Sequence, residues 1–381
     1  DIAYILRGCD ILHSFEDSAG RVVVGPRHPL EAALIVQARV GSVQAETSII
    51  TRLVSSIRPA LGDSDENDEM DFAIELLRAV GHQGPERARF AAFYLQLSAA
   101  LKGIRENRGI RNPRLMLQEA NLQREWVVWM SRTGQRPQEA GEVLATAQVV
   151  LQDAMDLLKD SRRQRSLRKF VATELLSALG TEIVNSISQG ATFEEVTRKF
   201  ERFRQALHVA RAMDFTEYSP VDVLVWTTVA MVESGRFDET KRIEAIADVL
   251  DAMETVDTDL LDSSNLELFH TRMMQLAPLL GDSKLSDAAF EALQALGSTA
   301  GYYVRAREIG GPSRGVPQVD EALASRYRDA WDYLDSHRPQ IAHDPRCLNL
   351  LFDYWWLTKT RRPLFRDERT VVRLEENEWL Y

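Results

Sequence analysis

The chain has 381 residues, with Lys+Arg 46 against Asp+Glu 57 and a formal net charge of −11. This length can bury a large core, as two or three modest domains or as one long repeat array. The acidity argues against nonspecific binding to nucleic acid or to an anionic membrane, because counterion release needs a basic face.

Ile2–Phe15 reads as a helix, and Arg21–Val24 is the best strand candidate in the chain. Gly25–Leu30 then leads into a long helix from Leu30 to Ile57. Helix, short strand, turn and helix together suit the tail of a winged-helix unit. Asp63–Asp71 is the most polar run and the expected hinge. From Pro85 to Asn107, Phe90, Phe93, Tyr94, Leu97, Leu101 and Ile104 recur at steps of three and four, which places them on one helix face.

Helix starts are marked at Asn112-Pro113, Ser219-Pro220 and Asp344-Pro345, where a capping side chain precedes a proline that lacks the N–H a first turn leaves unpaired. Gly84-Pro85 and Arg136-Pro137 are further starts with weaker caps. Thr192 and Glu195 have capping-box spacing, the hydroxyl taking one orphan amide and the carboxylate reaching back to another. Stops fall at Gly109, Gly134, Gly190, Gly235 and Gly281. Ile243, Ile246, Leu250 and Met253 form a further stripe. The hairpins expected from this punctuation are Arg136–Asp160 with Leu167–Gln189, Thr192–Met213 with Ser219–Ser234, and Asp238–Val256 with Leu266–Leu280. A glycine- and proline-rich joint lies at Ile309–Gln318.

The fold expected is all-α: a tetratricopeptide-like helical-repeat solenoid behind a small winged-helix-like piece. The expected segments are 1–62, winged-helix-like; 63–311, the repeat array; and 312–381, the C-terminal repeats or cap.

No phosphate-binding loop, dinucleotide fingerprint, zincin helix, nucleophile elbow or Cys-x-x-Cys pair occurs. No cofactor, metal or catalytic residue is therefore expected. His337 and His343 lie near Asp335, Asp344 and Cys347, but Pro339 interrupts the helix that would hold a metal set. Arg202 and His208 match the short Arg-x(4–6)-His pattern of all-helical HEPN ribonucleases, while Phe203 and Leu207 between them belong to an apolar stripe. Arg162, Arg163, Arg165, Arg168 and Lys169 form the one basic cluster; it suits a phosphate or acidic partner, or cations placed at the preceding helix's C-terminus. Trp126 and Trp129 share a helix face, and Trp355 and Trp356 adjoin Tyr354. Such rings either pack a core or, left exposed, anchor a partner. The candidate partner-binding residues are thus Arg162, Arg163, Arg165, Arg168, Trp126, Trp129, Trp355 and Trp356.

Two cysteines cannot build a disulfide framework, so a reducing cytoplasm is the expected setting. No apolar run approaches the roughly 18–20 residues that span a bilayer. The chain opens at Asp1 with no basic-then-apolar leader and reads as a piece of something longer.

Arg27-His-Pro-Leu30 after a hydrophobic strand resembles the end of the winged-helix region that follows the ATPase core in STAND-type NTPases. Tyr218–Trp226 and Cys347–Phe365 resemble the tetratricopeptide-like tails of large bacterial members of that class. The resemblance implies a non-catalytic sensor arm that binds a protein trigger, such as a phage component, and signals to upstream NTPase and effector domains. No Walker residue is present to carry over. The alternatives are a stand-alone tetratricopeptide adaptor, a HEPN ribonuclease using Arg202 and His208, and a nucleic-acid-binding repeat protein.

Overall fold

The computed structural model describes residues 12–16, 22–26, 42–57, 68–81, 90–132, 138–159, 164–213, 218–235, 239–313 and 319–362. The fold is all-α apart from one short hairpin, with fifteen α-helices among the described residues. In the hairpin, β1 (Leu12–Glu16) pairs antiparallel with β2 (Val22–Pro26), Leu12 opposite Pro26 and Glu16 opposite Val22. The strand at Val22–Val24 was expected, but Leu12–Phe15 was read as helix and is strand instead. An extended run must pair its backbone N–H and C=O groups, and the residues just before it supply the partner.

The chain divides into two compact units, Asp1–Trp126 and Val127–Tyr381. The division falls inside a helix and at neither of the joints read from composition. The first unit holds α1 (Val43–Ser55), α2 (Asp68–Val80) and α3 (Tyr94–Asn107), and most of α4 (Pro113–Arg132). Ser42 caps α1 by accepting from the Ala45 N–H at 3.2 Å; of the long helix expected from Leu30, the part before this cap lies outside the described residues. Asp68–Asp71, expected in a hinge, open α2 instead. The stripe predicted from Phe90 to Ile104 is buried apart from the half-buried Phe93: Phe90, Tyr94, Leu97, Leu101 and Ile104 are each at most 3% exposed. Arg105 of α3 holds Glu119 of α4 through two hydrogen bonds, of 3.0 and 2.9 Å.

The second unit contains α5 (Ala140–Leu157), α6 (Arg165–Ser188), α7 (Phe193–Met213), α8 (Tyr218–Glu233), α9 (Glu239–Glu254), α10 (Ser263–Leu280), α11 (Ser283–Ala295), α12 (Ala300–Gly310), α13 (Glu321–Ser336), α14 (Arg338–Ile341) and α15 (Pro345–Thr360). The local punctuation holds well. Thr192 and Glu195 make the capping box, with Thr192 N–H donating to Glu195 at 3.0 Å and Glu195 N–H to the Thr192 hydroxyl at 3.3 Å. Asn112 and Asp344 cap α4 and α15. Ser219 is not a cap, since α8 already begins at Tyr218. Gly109, Gly190, Gly235 and Gly281 all take positive φ, between 64° and 87°, the left-handed turn that a Cβ disfavours; Gly134 lies outside the described residues.

Helix pairing meets expectation for α5 with α6, the first hairpin read from the sequence, and departs from it further along the chain. α6 packs against α5, α7 and α8; α8 packs against α9 and α10; α10 packs against α11 and α12; and α12 packs against α13. The hairpin expected between Asp238–Val256 and Leu266–Leu280 is therefore not a packed pair: α9 lies on α8, while α10 turns to α11. The cause is α8 itself. Val221, Val223, Leu224, Val225, Thr227, Thr228, Val229 and Met231 are all buried, which covers most of the helix circumference, while Ser219, Asp222, Trp226 and Ala230 on the remaining side are half-buried. A helix buried over so much of its circumference must be covered by several neighbours, so α8 draws α6, α9 and α10 about it. Gly180 of α6 permits the close approach to α8.

Candidate functional site

α7 sits between two polar assemblies. On one side, Glu182 of α6 receives Lys199 of α7 at 2.8 Å and Gln148 of α5 at 2.8 Å, with Arg202 at 4.0 Å. Burial pushes the Glu182 carboxyl up, but hydrogen bonds from Lys199 and Gln148 and the charges of Lys199 and Arg202 bring it below its ordinary range. Arg202 also donates to Gln148 at 3.0 Å.

On the other side α7 and α9 flank a cleft of about 340 Å³, floored by Leu207 and by Leu224 of α8. Arg204, His208 and Arg211 recur at steps of four and three along α7 and line one wall, while Asp248 and Asp251 of α9 line the other. Arg204 reaches Asp248 at 2.9 Å, and Arg211 donates to Thr255 at 2.8 Å. These two struts bracket His208 and Asp251. Burial lowers the Arg211 guanidinium below its ordinary value. The walls have opposite charge over an apolar floor, an arrangement suited to holding a polar segment.

Arg202 and His208, paired by the ribonuclease pattern, are thus not brought together. Arg202 is turned to α5 and α6, and His208 to α9. Among the described residues no group of His, Cys, Asp and Glu side chains is placed to hold a metal ion. His337 instead leans on the Tyr302 and Tyr333 rings, at 5.1 and 4.7 Å between centroids. Asp344 caps α15, and Cys347 is buried beside it, its thiol pushed up to about 12 by burial and by the Asp344 charge.

The basic cluster is divided. Arg162 and Arg163 lie outside the described residues. Arg165 donates to the Met213 carbonyl at the end of α7 at 2.9 Å, and Arg168 reaches the Lys159 carbonyl just past α5 at 3.5 Å. Both thus satisfy carbonyls that helix ends leave open. Of the tryptophans, Trp126 and Trp356 are buried, at 6% and 8% exposure, and pack the interior. Trp129 and Trp355 are half-buried. Lys359 lies 4.3 Å above the Trp355 ring, and Arg362 lies 5.1 Å above that of Trp356.

The Glu182 assembly and the struts of the cleft were not anticipated from sequence. Their partners come from separate helices, so no spacing within one segment marks them; the one usable signal was Arg204, His208 and Arg211 sharing a face. Among the described residues no helix is long and apolar enough to cross a membrane. No protein-family model, curated protein or solved structure matches the chain.

Proposed function

We propose that this chain is a non-catalytic protein-recognition module: a tetratricopeptide-like array with a winged-helix-like N-terminal piece, working in the cytoplasm as the trigger-sensing part of a larger STAND-type NTPase. The observation that carries the reading is the order of packing in the second unit. α6, α8, α10 and α12 follow one another, and each has its successor in sequence laid against it. Repeated helix pairs of this kind offer a long surface, with clefts between neighbours such as that of α7 and α9, on which a protein or peptide can bind over a large area. A trigger held there acts on the upstream NTPase and effector domains only through a difference in affinity between their closed and open states.

The test is a pull-down with the tagged chain from cells of its own host, challenged with phage and unchallenged. A specific protein recovered from challenged cells is the expected result. Recovery of no specific protein under either condition would overturn the reading.

A further inference from the structure

We propose that the α7–α9 cleft holds one aliphatic residue of an extended, uncharged protein segment, its side chain on the apolar floor and its peptide groups received by the two walls. This rests on the recognition reading above and adds a place and a partner chemistry to it. The two helices face each other like the sides of a ladder. Arg204 meets Asp248 at 2.9 Å, and Arg211 meets Thr255 at 2.8 Å. Seven positions separate these struts on either helix, which is about 10 Å at the rise of an α-helix. The rung between them is not made. His208 and Asp251 both line the cleft, and neither has a hydrogen bond or ion pair to another described residue. Their side chains are shorter than the arginines that set the spacing, so the middle of the ladder stays open.

The lining selects what can enter. Arg204, His208 and Arg211 offer donors from α7, and Asp248 and Asp251 offer acceptors from α9. A phosphate chain or an acidic segment would meet the aspartates, and a basic one would meet the arginines. A peptide backbone carries both a donor and an acceptor at each residue without net charge. Its carbonyls can accept from Arg211 and His208 while an N–H donates to Asp251. A partner helix has these groups already paired within itself. An extended chain turns them sideways and sends its side chains alternately up and down. One side chain then faces Leu207 and Leu224 at the floor of a cleft of about 340 Å³. At about 3.3 Å per extended residue, the opening between the struts takes this anchor and a neighbour on each side.

The experiment titrates the full chain, labelled at its leucine methyl groups, with the capped peptide acetyl-Gly-Ser-Leu-Ser-Gly-amide and follows the methyl signals of Leu207 and Leu224 by NMR. Peptides with Ala, Glu or Lys in place of Leu, and free leucine, serve as comparisons. Asp251→Ala removes the N–H acceptor and Ala212→Trp fills the cleft; both positions are exposed, and circular dichroism checks that both variants keep the fold. The expected result is a saturable shift of both methyl signals by the Leu peptide. Binding should weaken about tenfold for the Ala peptide and about fivefold in Asp251→Ala, and it should vanish in Ala212→Trp. The proposal is overturned by absence of a saturable shift, by equal binding to wild type and Asp251→Ala, or by tighter binding of the Glu peptide, the Lys peptide or free leucine. A protein partner captured equally by wild type and both variants would sink this inference and leave the recognition reading standing. Peptide binding with no captured partner would do the reverse.

Discussion

Gly180 of α6 lies so close to Trp226 of α8 that a Cβ on it would stand 2.7 Å from the indole and 2.5 Å from the Thr227 hydroxyl. Two helices meet there without a side chain between them, although glycine weakens a helix interior by about 1 kcal/mol relative to alanine. Gly180→Ala recovers that helix propensity but must displace Thr227, which is fully buried. Overpacking of this kind costs about 1–3 kcal/mol, so a lower unfolding midpoint is expected in urea, and Gly180→Val should fall further. A stabilised Gly180→Ala would mean that α6 and α8 do not approach this closely.

Arg105 and Glu119 should behave as a buried pair. Glu119 is 1% exposed and the Arg105 side chain 15%. Removing one partner strands the other, and Glu119→Ala should cost about 3–5 kcal/mol. Replacing both by apolar residues of similar volume, Arg105→Met with Glu119→Leu, should cost much less. Thermal melts of Arg105→Met, Glu119→Leu and the double variant complete the cycle, and a double loss equal to the sum of the two single losses would contradict the pairing.

Asp344 should give the chain an acid-dependent contribution. It accepts from the Arg346 backbone N–H at 2.8 Å, from the Thr299 hydroxyl at 2.6 Å and from the Arg346 guanidinium at 2.9 Å. Burial pushes its carboxyl up, but the hydrogen bonds from Arg346 and Thr299 outweigh this and hold it at about 2. The unfolded value is about 3.9. The stabilisation is therefore fully present above about pH 4 and is lost as pH falls towards about 2. Asp344→Asn keeps a capping oxygen but removes the charge that accepts from Arg346 and Thr299; it should lower stability by about 1–3 kcal/mol at neutral pH and flatten the acid limb of stability against pH. Parallel limbs for wild type and variant would argue that Asp344 titrates normally.

The separation of Arg202 from His208 bears on ribonuclease activity. Arg202 is engaged by Gln148 and Glu182, whereas His208 lines the α7–α9 cleft. If the chain is a recognition module, a clean preparation should cleave a labelled RNA no faster than a His208→Ala preparation does. A rate that drops on substituting His208 would restore the enzyme reading.

Helix limits were legible because their causes are local. Thr192 and Glu195 satisfy each other's amides within one turn, and Gly190 and Gly281 end helices through their own φ. The all-α class and the buried face of α3 followed from periodicity in the same way. The α7–α9 cleft was only partly legible: the step from Arg204 to His208 to Arg211 marks one wall, but nothing in it indicates Asp248 opposite.

Residues within about four positions of one another marked many of the helix ends, as at Gly190, Gly281 and the Thr192–Glu195 box, and the apolar side of amphipathic helices, but the same local reading took Leu12–Phe15 for helix and Asp68–Asp71 for a hinge. The tertiary structure decided which helices meet. Only packing buried α8 over most of its circumference, separated α9 from α10, buried Trp356 while leaving its neighbour Trp355 half-open, and turned Arg165 to the end of α7. Periodicity names a face but not the neighbour that covers it, and that neighbour is chosen by the summed burial of residues far apart in the chain.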